Sequence, residues 1–183
     1  MSGTWHSEVL EFWFETLTPK DWFTVSEKTD TLIRDRFGAL HERLVRELPP
    51  EVFSEPKAAL AAVIVLDQFP RNIYRRQPGA FASDELALSV AGQAIEKGLD
   101  EGMSVPERQF LYMPYMHSEV LADQERAVML FKSLGQEESL KYAIEHRDII
   151  ARFGRFPHRN RVLGRESGPE ERAFLEEHEG YGQ

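Results

Sequence analysis

A chain of 183 residues, with 42% hydrophobic and 29% charged side chains, has room for one domain with a real core and little room for two. It contains no cysteine, which excludes disulfides, a thiolate nucleophile and zinc sites built on sulfur. A formal net charge of −9 argues against nucleic-acid binding, since phosphate contacts need a basic face.

The opening residues show no basic segment followed by an apolar run, so no secretory signal is expected. The longest apolar run, 58–66, is too short to cross a bilayer. The expectation is a soluble, cytoplasmic protein that makes no membrane contact.

Taken in order, Val9, Leu10, Trp13 and Phe14 fall on one stripe of a helix over 5–14 with Thr4 as its N-cap. Pro19 and the Trp22–Phe23 pair read as a loop or short turn. Ile33, Phe37, Leu40, Leu44 and Leu48 recur every three or four residues, giving a helix over 27–48 that Pro49 and Pro50 end. The next helix, 56–68, has Ser54 as its cap and Pro56 in its first turn. Its residues 58–66 are apolar on every side, so it should be surrounded by other helices and form the centre of the core.

Ser83 caps a fourth helix that runs to residue 97 and stops at Gly98. Ser104 and Glu107 form a capping box opening the fifth, which Pro114 should kink or end. A sixth helix over 119–134 is capped by Ser118 and closed by Gly135. The seventh, 137–153, stops at Gly154. Ser167 and Glu170 suggest a second capping box, for a last helix through residue 175, and the charged tail after it is expected to fray. No stretch alternates with period two. The fold class is therefore all-α, about eight antiparallel helices in one domain over 1–183, arranged as a bundle or as stacked helix pairs.

Charge is distributed unevenly along this pattern. Residues 152–165 carry five arginines and no acid, which leaves −14 for everything else. Such an island either receives an anion or offsets buried carboxylates elsewhere. Asp67 is the carboxylate most in need of an offset, because it sits at the negative C-terminal end of the most apolar helix. Its nearest cations in sequence are Arg71 and Arg75, and the island should fold back onto it. Asp67 is then either a structural ion-pair partner or a pocket carboxylate. The runs 68–72 and 155–160 echo one another and are placed to face each other across the fold.

His117, just before the sixth helix, and His158, in the island, join Asp67 as acid–base candidates. His146 shares the core stripe of its helix with Tyr142, Ile149, Ile150 and Phe153, so a hydrogen-bonded core role competes with a functional one. Asp148 and Arg152 have the spacing of an ordinary helical pair. Arg71, Asn72, Arg75, Arg152, Arg155, Arg159 and Asn160 supply donors that suit a carboxylate or phosphate, with Glu119 and His146 as further ligand-binding candidates. His117, Glu119, His146 and His158 match no compact metal spacing, so neither a metal nor a cofactor is expected. Ser118 lacks the strained elbow of a nucleophilic serine.

Three runs together resemble a known family. They are LDQFPRNIYR from Leu66 to Arg75, MHSE from Met116 to Glu119 with Gln124 beyond it, and the island from Arg152 through Asn160 to Leu163 and Arg165. The chain is similar in these runs, and in their order, to a bacterial family known as domain of unknown function 924. That resemblance implies a tetratricopeptide-like α-α superhelix and implies no activity. Two functional readings follow. In the first, a polar pocket of Arg, His and Asp side chains binds a small anion, with or without catalysis. In the second, a helical adaptor binds an acidic peptide or protein along a concave groove.

Overall fold

A computed structural model describes residues 4–178, 180 and 181, and among these every regular element is helical. The elements are α1 (Trp5–Glu11), α2 (Pro19–Phe23), α3 (Glu27–Arg46), α4 (Pro56–Val63), α5 (Phe69–Ile73), α6 (Asp84–Glu96), α7 (Val105–His117), α8 (Leu121–Ser133), α9 (Glu137–Phe153) and α10 (Pro169–Glu177). Short 3₁₀ turns at Pro50–Phe53, Pro78–Ala80 and Pro157–Arg159 join some of them. Part of the tail expected to fray, residues 179, 182 and 183, lies outside the described residues. No helix among the described residues is long and apolar enough to cross a membrane.

The all-apolar stretch lies where its composition requires. Residues from Ala58 to Leu66 are all at or within 1% of complete burial. Helix α4 packs on α1, α6 and α7, α6 on α7, α7 on α8, and α8 on α9. A second, smaller cluster of Ile149, Ile150 and Phe156, with Phe153, Phe174 and Tyr181 against it, sits beneath the arginine-rich segment.

Two π turns shape this core. The first, Phe12–Thr16, continues α1, and the freed Trp13 carbonyl accepts Trp22 Nε1 at 2.8 Å. The second, Ile64–Gln68, joins α4 to α5, and Pro70 gives its cause. A proline has no N–H to donate and its ring presses on the carbonyl four residues back, here that of Leu66. One wide turn relieves that contact. The Leu66 carbonyl is then satisfied by Ser83 Oγ, which donates to it at 2.6 Å. Ser83 accepts in turn from His41 Nε2 at 3.2 Å. Ser83 does occupy the N-cap of α6, but its hydroxyl makes no capping bond because Leu66 takes it.

Several local expectations shift. Pro114 neither ends nor delimits α7, because the helix carries on to His117 with Phe110, Leu111, Met113 and Met116 buried on either side of it. Residues around Trp22 form the short helix α2 and not a loop. Thr4 is the N-cap of α1 but its hydroxyl contacts Ser7 Oγ at 2.8 Å, not the backbone. Glu55, not Ser54, precedes α4, and α3 stops at Arg46. Ser118 follows α7, donates to Asp123 Oδ2 at 2.6 Å and leaves the N-cap of α8 to Val120. The last capping interaction lies one residue later than expected, with Gly168 N–H donating to Glu171 Oε1 at 2.9 Å. The Ser104–Glu107 box forms as expected, and Gly98 and Gly154 end their helices with φ of +69°.

The bond from Ser83 to the Leu66 carbonyl yields a first prediction. Ser83→Ala leaves that carbonyl and the His41 N–H buried without partners, and should lower stability by about 1–3 kcal/mol in urea unfolding. A change below about 0.5 kcal/mol, the range of surface substitutions, would remove this account of the π turn.

Candidate functional site

The second π turn delivers Asp67 to the floor of the site. Its side chain is fully buried. His117 Nδ1 lies 2.8 Å from Asp67 Oδ1, and Gln68 Nε2 donates to Oδ2 at 2.7 Å. Arg71 Nη1 stands 3.7 Å from Oδ1 and also donates to the Asp67 backbone carbonyl. Burial pushes the carboxyl up, but the charges of His117 and Arg71 and the hydrogen bonds from His117 and Gln68 outweigh it and hold Asp67 below the usual carboxylate range.

His117 is the last residue of α7, and its position is fixed by its backbone. Gln124, completely buried in α8, donates through Nε2 to the carbonyls of Met116 and Ser118, each at 2.6 Å. Arg159 Nη2 donates to the His117 carbonyl at 3.1 Å. Burial lowers the affinity of the imidazole for a proton, and Arg71 adds to that, against the pull of Asp67. Burial prevails, so the ring holds a proton less tightly than a free imidazole does. With Nδ1–H donating to Asp67, Nε2 is the bare nitrogen. It has no hydrogen-bond partner among the described residues, and the side chain keeps 11% exposure.

Two guanidinium groups flank this pair. Arg71 makes a two-pronged contact with Asp84, at 2.8 and 3.0 Å. Burial works against its charge, but Asp84 and Asp67 hold its proton more tightly than usual. Arg159, from the island, is only 6% exposed. Its guanidinium lies 4.4 Å from the centre of the Phe81 ring and 4.6 Å from that of Phe156. The nearest carboxylate oxygen, on Asp84, stands 3.8 Å away and is already engaged by Arg71. Burial and the neighbouring Arg71 lower its pKa to about 10. Its Nε is buried without a partner among the described residues.

The island does fold back, but onto Asp84, Phe81 and the His117 carbonyl and not onto Asp67, whose cation is Arg71; the runs at 68–72 and 155–160 meet across Asp84 and Phe81. Glu119 secures the return. Its carboxylate accepts the Phe156 N–H at 2.9 Å and both prongs of Arg165 at 2.8 and 2.9 Å.

Other expected members of the site lie elsewhere. Asn72 and Arg75 do not reach Asp67, because Asp30 of α3 takes both, at 2.9 Å from Asn72 and 2.7 Å from Arg75 Nε. Arg155 and Asn160 both donate to Glu171 of α10, at 2.9 and 3.0 Å, and so fasten the last helix. Arg152 is exposed with its charge over the Phe153 ring, and Asp148 bonds Arg147 instead of it. His158 makes no hydrogen bond to Asp67 or His117, and packs with Phe156, His178 and Tyr181. His146 is a core histidine. Its Nδ1 donates to the Tyr142 carbonyl at 2.7 Å, its ring stacks on Tyr181, and burial lowers its pKa to about 3. Tyr142, placed with it on the core stripe, is 47% exposed. Among the described residues, no three side chains of His, Asp or Glu gather as metal ligands.

Asp30, Asp84, Phe81 and Glu171 were not anticipated. Asp84 and Glu171 look in sequence like ordinary acids in the first turns of helices, and only tertiary neighbours distinguish them. Outside Arg71 the surface dips into a shallow depression lined by Arg71, Arg75, Arg76, Ala80, Phe81 and Val162.

Fold and site together define an all-helical protein whose distant segments close on a buried carboxylate, an imidazole and two guanidinium groups. The chain belongs to the family described as bacterial protein of unknown function (DUF924), which it matches over residues 9–179. A solved structure of a protein of unknown function from Agrobacterium tumefaciens is similar to it, with 40% sequence identity and a TM-score of 0.90 over 94% of this chain and 97% of that one. No curated protein matches the chain.

The Arg155–Glu171 contact can be tested by pH. Hydrogen bonds from Arg155, the Gly168 N–H and Asn160 lower the Glu171 carboxyl from 4.5 to about 2. A carboxyl depressed on folding contributes stability that is complete above its unfolded value and lost as pH falls towards the folded one. The stability gap between wild type and Glu171→Gln should therefore narrow between pH 4.5 and 2. A gap that stays constant over that range would show that Glu171 carries no depressed pKa.

Proposed function

We propose that this protein binds a small anion, a carboxylate or phosphate, where Arg71, Arg159 and Phe81 adjoin the Asp67–His117 pair. The observation that carries the reading is Arg159. A buried guanidinium with one shared carboxylate at 3.8 Å and an unpartnered Nε is under-compensated in a protein of net charge −9. Structural ion pairing accounts for Arg155 and Arg165, which have carboxylates of their own, but leaves Arg159 short of one.

The pair behind it suits proton transfer. A buried carboxylate that accepts from Nδ1 fixes the tautomer and aim of an imidazole and leaves Nε2 as the base. His117 is then the acid–base group, Asp67 orients it, and Arg71 and Arg159 stabilise negative charge on the ligand. His158 has no place in this arrangement. Of the candidate arginines, Arg71 and Arg159 meet at one ring, Phe81, while Arg75 and Arg155 are held by acids of their own, which supports a small ligand over an acidic peptide.

A thermal-shift screen of phosphorylated and carboxylate metabolites tests the reading. A ligand at a hundred times its Kd stabilises the folded state by about 2.7 kcal/mol, a rise in Tm of roughly 5–10 °C for a chain of this size. Arg159→Lys, which keeps the charge but loses the fork, should reduce that rise. If no anion raises the Tm of the wild type, the binding reading fails.

A further inference from the structure

Arg76 breaks a local rule of the backbone. The Gln77 N–H donates to the Tyr74 carbonyl at 2.9 Å, so Arg75 and Arg76 are the central residues of a tight turn. Arg76 adopts φ of 62°, and it is the only non-glycine residue with positive φ among the described residues. That place in a turn ordinarily belongs to glycine or asparagine, and a long side chain there costs folding free energy. Strain of this kind is retained where a function needs the side chain.

What surrounds Arg76 points to that function. It is exposed, and its side chain has no hydrogen bond or ion pair with the described residues. Beside it, the guanidinium of Arg71 is committed to Asp84 and that of Arg75 to Asp30. All three line the shallow depression outside Phe81, and the rest of its lining is apolar, from Ala80, Phe81 and Val162. The guanidinium groups of Arg71 and Arg159 lie 5.4 and 4.4 Å from the centre of the Phe81 ring. The result is an apolar floor in a cationic rim, with one arginine at its edge that has no partner among the described residues.

We propose that Arg76 is the recognition arginine of this depression, and that its ligand is a small organic anion. The apolar body of the ligand rests on Phe81 and Val162, and its phosphate or carboxylate is met by Arg76. This rests on the anion-binding reading above and specifies the ligand: a monoester or carboxylate with an apolar substituent, in preference to a bare inorganic anion. Guanidinium forks fit either head group, while burial of the substituent against Phe81 supplies the preference.

Calorimetric titration of the full chain with phenyl phosphate, benzoate and inorganic phosphate tests the proposal, in wild type, Arg76→Gly and Arg76→Lys. Phenyl phosphate or benzoate should bind more tightly than inorganic phosphate. Arg76→Gly should raise the Tm of the unliganded protein, since glycine relieves the turn. The same variant should weaken the preferred organic anion about tenfold or more, the loss of one charge-assisted hydrogen bond. Arg76→Lys should fall between the two. Equal binding of that anion by wild type and Arg76→Gly would overturn the proposal and leave the anion reading standing. Inorganic phosphate binding as tightly as phenyl phosphate would overturn the role of the apolar floor. A wild type that binds none of the three probes would overturn the proposal, and the metabolite screen would then decide separately whether the broader reading falls with it.

Discussion

Asp67 is an ionised carboxylate placed where neither water nor the helix dipole can support it. The helix that carries it is apolar on all sides, so the fold has to bring polar partners to it. Those partners come from separate parts of the chain: Gln68 and Arg71 from the same helical run, and His117 from the end of α7. Fixing His117 requires Gln124 of α8 and Arg159 of the island, and fixing the island requires Glu119 to hold Arg165 and the Phe156 N–H. Each satisfied group thus imposes a requirement on the next segment, and together these requirements join α4, α7, α8 and the island.

The five arginines of the island serve different ends. Arg155 and Arg165 hold carboxylates of α10 and of the α7–α8 connection, and fix the segment in place. Arg152 and Arg161 face solvent. Arg159 alone passes inside, between two phenylalanine rings and beside the His117 backbone. The island is therefore mostly scaffold, and Arg159 is the part of it that reaches the interior beside His117. Nearly all the remaining positive charge at the site comes from the run after Pro70.

Much of this was legible in the sequence because burial and charge constrain it directly. A run with no polar face had to be central, and a carboxylate at its negative end had to be met by a cation; that cation is Arg71, four residues on, while the island reaches Asp67 only through Asp84 and the His117 backbone. The all-helical class followed equally from the absence of period-two alternation. Partner choice did not. Asp30 takes Arg75 and Asn72, Glu171 takes Arg155, and Asp84 takes Arg71, yet each of these acids sits early in a helix, where dipole stabilisation is explanation enough. Pro114 does not end its helix, since packing on both sides of a proline can outweigh one lost backbone bond. His158 misled because proximity in sequence to Arg159 says nothing about which side of the loop a ring faces.

If Asp67 and His117 are held as a buried pair, removing either should leave the other with little further to lose. A double-mutant cycle in urea unfolding, with Asp67→Asn, His117→Gln and both together, measures that dependence directly. The account predicts a coupling of about 1–3 kcal/mol between the two positions. Losses that add to within about 0.5 kcal/mol would mean that the two side chains act independently, and would contradict it.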